Sequence, residues 1–144
     1  MIDPHCHTSS IKVARPADQV FGLMADGIQQ GQWAWGSFDR EDLGQGVYAG
    51  TSMFDGGRTF VRLNVDADRL LVDYDVGRAP DALAFRNSAR VLPGVLLGHE
   101  EGSCVVTLMT WRHVNQDEAA WLQTSTIHEA EMFLIRGLAE RAAG

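Results

Sequence analysis

Four histidines carry the most obvious chemistry in this sequence: His5 and His7 near the start, His113 after a strand-like run, and His128 inside a helical stretch. An imidazole ionises close to neutrality, so it can move a proton or, when neutral, ligate a metal. His5 and His7 are two apart, which places both on one face of an extended strand. No carboxylate or thiolate stands at a spacing that would complete a metal site, so no metal is assigned. In the competing reading these are polar residues at a strand end beside the N-terminus. A general acid or base role suits His128 or His113 better. His99, in His99-Glu100-Glu101-Gly102, sits on a hairpin tip in water. Glu129 and Glu131 read as solvated helix flanks, with Glu129, about 80° from Trp121, placed to edge into the space beneath the helix.

Other catalytic patterns are missing. Gly102-Ser103-Cys104 leads into a strand and forms no nucleophile elbow. Cys104 is expected to point outward and stay inert. Neither a Gly-x-Gly-x-x-Gly motif nor a Walker-type loop occurs, so no cofactor is expected.

The 144 residues suit one domain, spanning 1–144, with a core of its own. Cys6 and Cys104 are too few for a disulfide framework, which implies reduced thiols and a cytoplasmic location. The first ten residues hold Asp3, Pro4 and two histidines but no apolar stretch, so they do not read as a secretory signal. No apolar run approaches the roughly 20 residues that cross a bilayer, and no membrane association is expected. The net charge of −7, without any Lys/Arg-rich window, argues against nucleic acid as a partner.

Periodicity supplies the elements that must position these groups. Ser9 to Val13 alternates as a first strand, and Pro16 ends it. Val20, Phe21, Leu23 and Met24 fall at helical spacing, and Gly27 and Gly31 frame a second short helix. Strand patterns follow for about eighty residues: Trp33 to Phe38, Val47 to Phe54, Thr59 to Val65, and Leu70 to Val76. Asp55-Gly56-Gly57 and Asp66-Ala67-Asp68 turn the chain. Phe85 to Leu97 reads as a long strand bent at Pro93-Gly94, and Cys104 to His113 as the last strand. Asp117 to Ala143 is the one long helix, with Asp117 as its N-cap. Trp121, Ser125, His128, Met132, Ile135 and Ala139 form one stripe on it, and Ile127, Leu134 and Leu138 lie beside that stripe. Strands in series closed by a helix imply an α+β fold: an antiparallel sheet of six or seven strands, curved around the long C-terminal helix.

The segment Ser10-Ile11-Lys12-Val13-Ala14-Arg15-Pro16-Ala17-Asp18-Gln19-Val20-Phe21, followed by Met24-Ala25-Asp26 and Trp33, resembles the opening of the SRPBCC or START-like superfamily. That group includes polyketide cyclase/dehydrase and lipid-transport proteins and birch-pollen-allergen proteins. Arg15 between Ala14 and Pro16 is a small departure. The strand series and closing helix agree, so the resemblance covers nearly the whole chain. It implies a helix-grip fold with a cavity between sheet and helix, and pairing of the first and last strands. That pairing would bring His5 and His7 near His113, with His128 overhead.

Strand alternation then assigns faces to that cavity. Arg62, Arg86, Arg90 and Arg112 are expected in solvent. Val61, Leu63, Phe85, Asn87, Ala89, Trp111 and His113 are expected inside, with Ile11, Val13, His5 and His7 facing the same way. The expected lining is His7, Trp33, Trp35, Tyr74, Asn87, Thr107, Met109, Trp111, Trp121, Ser125, His128 and Met132; Trp33 and Trp121 serve equally well as core. This mostly aromatic set suits a small hydrophobic or aromatic ligand. The alternative is an enzyme resembling the polyketide cyclases and dehydratases, in which His128, with Tyr74 or Asn87, moves a proton and His113 is a second candidate. An interaction module using the outer sheet face ranks last, because Arg62, Asn64, Asp73 and Asp75 make that face polar. The fold class also allows a homodimer.

Overall fold

Residues 1–141 are described by a computed structural model. The strands are β1 (Cys6–Val13), β2 (Phe38–Gly44), β3 (Val47–Thr51), β4 (Arg58–Asp66), β5 (Leu71–Gly77), β6 (Ala84–Pro93) and β7 (Cys104–Trp111). They form one antiparallel sheet in the order β1-β7-β6-β5-β4-β3-β2. The consecutive strands β1 and β2 therefore sit on opposite edges. The chain crosses between them through α1 (Ala17–Met24) and α2 (Gly27–Gln30), and the long helix α3 (Glu118–Arg141) follows β7. This is the expected α+β helix-grip arrangement. The expected last helical residues, Ala142 and Ala143, lie outside the described range.

The helix ends follow from local chemistry. Asp26 accepts from the backbone N–H groups of Ile28 and Gln29 at 2.9 and 3.1 Å, capping α2. Asp117 accepts from Ala120 N at 2.8 Å and caps α3. Between α1, α3 and the sheet lies the core, where Val13, Val72, Val106 and Ile135 are fully buried. Burial along α3 is uneven: Glu131, Met132, Ile135 and Ala139 are buried, and no residue before Glu131 is.

Several expectations are corrected. Trp33 to Ser37 is a run of turns, because the Gln30 carbonyl takes the N–H groups of both Trp33 and Ala34 and so prolongs the turn of α2. The polar segment Phe38–Gly44 pairs instead, as an exposed edge strand whose backbone bonds need no apolar alternation. Leu92 and Pro93 end β6, and Gly94–Leu97 closes into a 3-10 turn stopped by Gly98 at φ 79°.

On β7 the inward residues are Cys104, Val106, Leu108 and Thr110. Cys104 thus lies in the core and not outside, and burial pushes its thiol up to about 11. Thr107, Met109 and Trp111 take the opposite, convex face. Both faces of Cys-Val-Val-Thr-Leu-Met-Thr-Trp are apolar, so alternation could not choose between them; pairing of Val13 with Cys104 and Ile11 with Val106 does. Phe85 is likewise outside, tilted against Trp111 with ring centroids 5.2 Å apart. A bulge opposite Tyr74 and Asp75 leaves Arg86 as the extra residue, half-buried near His113 instead of free in solvent.

Two glycines test this packing. A Cβ on Gly27 would lie 2.2 Å from the Tyr48 ring, whereas one on Gly22 in α1 would meet nothing within 4 Å. Gly27→Ala is expected to cost about 1–3 kcal/mol by overpacking, and Gly22→Ala to add about 0.5–1 kcal/mol. Urea midpoints of the two variants check both signs.

Candidate functional site

Between the sheet and the middle of α3 lies a partly open cavity of about 110 Å³. Its apolar walls are Val61, Tyr74, Val76 and Leu108, which point inward from β4, β5 and β7. The turn segment after α2 contributes Trp33, Ala34 and Ser37, and α3 contributes His128 and Glu131. Gln30, Arg40 and Asn87 complete the polar part.

Glu131 is the centre of that polar part. It is 4% exposed. Its Oε2 accepts the backbone N–H of Trp35 at 2.9 Å, and no described residue bonds Oε1. Burial drives its carboxyl up to about 8, against the opposing pull of the Trp35 N–H and of Arg40. At neutral pH the side chain is therefore mostly a neutral acid. Arg40 faces it from β2 without forming an ion pair. Its Nε donates to the Ser37 carbonyl and hydroxyl, and its Nη1 to the Gly27 carbonyl and the Gln30 side-chain oxygen. Burial lowers Arg40 to about 10, so it stays charged.

His128 stands one turn before Glu131. Burial, with a smaller contribution from His7, lowers it to about 4, so the ring is neutral at physiological pH. Its Nδ1 is buried without a hydrogen-bond partner among the described residues, and so is Nε1 of Trp33. The cavity is therefore lined by a neutral imidazole and a neutral carboxylic acid, with the Trp33 ring as part of its wall.

The structure brings Trp33, Tyr74, Asn87 and His128 together here. His7 is half-buried beside them, with Nε2 3.2 Å from Ser9 Oγ. Tyr74 donates to the Met24 carbonyl at 2.8 Å, and burial holds its phenol well above the usual range, so its hydroxyl is engaged in the core. Met132 is buried in the core. Trp35, Trp121 and Ser125 lie outside the cavity walls, and Met109 and Trp111 lie on the convex face. His113 sits beyond β7, where burial and Arg86 lower its pKa. His5 is exposed near Asp3. Among the described residues no three His, Cys, Asp or Glu side chains could hold a metal ion, and no helix is long and apolar enough to cross a membrane.

Glu131, Arg40, Gln30 and Ser37 are the cavity groups that sequence reasoning missed. Glu131 is buried, not solvated. At 100° per residue it falls about 60° from His128, between the Trp121 stripe and the Ile127, Leu134, Leu138 stripe. The buried face spans both stripes, and that position was the available signal. Arg40 carried none, being part of a strand without apolar alternation.

The two shifted groups act oppositely on stability. The unfolded chain gives up the Glu131 proton near 4.5 while the fold keeps it to about 8, so stability falls as pH rises across that interval. His128, ordinarily 6.5 and about 4 here, loses stability as pH falls below 6.5. The slopes oppose one another at acid pH, and Glu131 acts alone from 6.5 to 8. Arg40 and Tyr74, the other titratable groups facing it, do not change charge there. Unfolding free energy is expected to drop by about 2 kcal/mol across that window, and Glu131→Gln to abolish the slope. Urea titrations at several pH values check this; parallel slopes would remove Glu131 as the titrating group.

No protein-family model matches the chain, and no curated protein matches its sequence. Solved structures do match its fold. The ZhuI aromatase/cyclase from Streptomyces sp. R1128 is 18% identical, with a TM-score of 0.70 over 96% of this chain and 95% of that one. A START superfamily protein from Mycobacterium smegmatis is 10% identical, with a TM-score of 0.68 over 96% and 99%. A norcoclaurine synthase mutant from Thalictrum flavum, in complex with a transition-state analogue, is 18% identical, with a TM-score of 0.67 over 96% of each chain. Seven antiparallel strands wrapped on one long C-terminal helix give this chain a helix-grip fold, the START-like fold of the structures that it matches over 96% of its length.

Proposed function

We propose that the chain binds a small hydrophobic or aromatic molecule in the cavity between the sheet and α3. The observation that carries this reading is the cavity itself, where apolar walls from three strands are joined by the polar side chains of Gln30, Arg40, Asn87, His128 and Glu131. That combination is how small-molecule sites are built: apolar contact for affinity and a few placed polar groups for orientation. At about 110 Å³ it is smaller than the roughly 300–1,000 Å³ of sites for drug-sized ligands. The fitting guest is compact, or has a compact end that enters while the rest stays at the mouth.

A second reading, turnover, is favoured by His128. Its ring lines the cavity and is neutral, the form that can take a proton. An aromatase/cyclase and a norcoclaurine synthase share this fold, which supports the reading. A multi-ring polyketide exceeds the cavity unless α3 moves away from the sheet.

Filling the cavity separates binding from mere folding. Leu108→Phe is expected to leave the protein folded and to weaken ligand binding at least tenfold, read by native mass spectrometry of the co-purified ligand and by tryptophan fluorescence. Trp121→Ala, outside the walls, is expected to change affinity less than threefold. Equal binding by the Leu108→Phe variant would move the ligand elsewhere. Under the turnover reading, His128→Asn retains binding and loses product formation.

A further inference from the structure

We propose that β1 pairs antiparallel with β1 of a second copy of this chain, about a two-fold axis beside Ser9, joining two seven-stranded sheets edge to edge.

The two edges of the sheet are built differently. β2 carries the exposed carboxylates Asp39, Glu41 and Asp42, shifts register twice against β3, and turns Asp39 to φ 53°. Charges and irregularities of this kind keep an edge from pairing with another chain. β1 has neither guard. Its eight residues keep unbroken register with β7, it holds no carboxylate, and Glu100 takes its one lysine, Lys12, at 2.7 Å. The bond from Arg112 N to the His5 carbonyl sets the phase of the strand. Odd-numbered residues face β7, so Cys6, Thr8, Ser10 and Lys12, all exposed, turn their backbone N–H and C=O groups outward. An axis beside Ser9 sets Thr8 opposite Ser10 of the second copy and Cys6 opposite its Lys12, which pairs every one of these groups.

α3 supplies the other half of the surface. It packs along β1, and the groove between them is lined by Ser9, Ile11, Glu129, Met132, Phe133 and Arg136 among others. Phe133 is 60% exposed. Glu129 and Arg136 stand four residues before it and three after it, both exposed and both without an ion pair among the described residues. Helices related by a two-fold run antiparallel, so an axis passing Phe133 brings Glu129 of each copy to Arg136 of the other. The patch is thus its own complement, as an isologous interface requires. Strand and helix agree on the axis, because the groove residues centre on Ser9 and Ser10 in β1 and on Met132 and Phe133 in α3. None of them lines the cavity.

Sedimentation equilibrium of the full chain is expected to show a reversible dimer. Arg136→Glu and Glu129→Arg each place like charges across the axis and should weaken it about tenfold, while the double exchange should restore it to within about threefold. A cysteine scan in the Cys6→Ser background reads the register. Ser9→Cys stands opposite its own copy, with Cα atoms about 4.5 Å apart, and should cross-link under a mild oxidant. Thr8→Cys lies beyond about 7 Å from its copy and should not. A monomer at every concentration would leave the edge to a strand of another protein and overturn the proposal. A dimer unmoved by either charge reversal, one not restored by the double exchange, or one cross-linked through Thr8→Cys instead of Ser9→Cys would overturn it too.

Discussion

The backbone N–H of Trp35 donates to the Glu131 carboxyl across 96 residues of sequence, and the cavity lies beside that bond. On one side is the turn segment that continues α2; on the other is the point where α3 begins to pack. Without the bond, a buried N–H and a buried carboxyl would both lose a partner in a low-dielectric setting, each at a cost of about 1–3 kcal/mol. The bond also fixes which carboxyl oxygen is free. Position and chemistry thus come from one contact: the segment carrying Trp33 is docked by the same side chain that supplies the site's acid.

The neighbouring groups are consistent with a neutral site. Burial acts in opposite directions on Glu131 and His128, raising one and lowering the other, so that both stand uncharged at neutral pH. Among the described residues the only lining charge is that of Arg40, whose Nε and Nη1 are met by carbonyl, hydroxyl and amide oxygens of the surrounding segment. Two titratable side chains one helical turn apart with displaced values form the kind of pairing that functional sites use.

Much of the fold could be read from residue order, because helix spacing and strand alternation are local signals. Val61, Leu63, Val72 and Tyr74 alternate cleanly and land inside. β7 was unreadable at this level, since Val105, Val106, Leu108 and Met109 offer two apolar faces and only the register with β1 selects one. β2 was unreadable for the opposite reason: an edge strand held by backbone bonds requires no apolar residues. Of the cavity lining, Asn87 and His128 were reached by face, whereas Trp33 was named on a strand that the structure replaces with turns. Glu131 was missed because charge was taken as solvent exposure, a rule that fails where a carboxyl stays protonated. Its partner, the Trp35 N–H, belongs to the backbone and has no sequence signature.

α3 is buried along its second half only, while its first turns are tied by the polar contacts of Glu118 to Arg112 and Thr124 to Gln116. Met132, Ile135 and Ala139 key its second half into the core, while the span from Glu118 to Ala130 has no buried residue. That span works as a lever about 20 Å long with its fulcrum at Glu131. A tilt of roughly 10° about that point would carry the far end some 3–4 Å while barely disturbing the buried residues. His128, three residues from that point, would move less than about 1 Å, so the cavity wall keeps its place while the first turns of α3 shift.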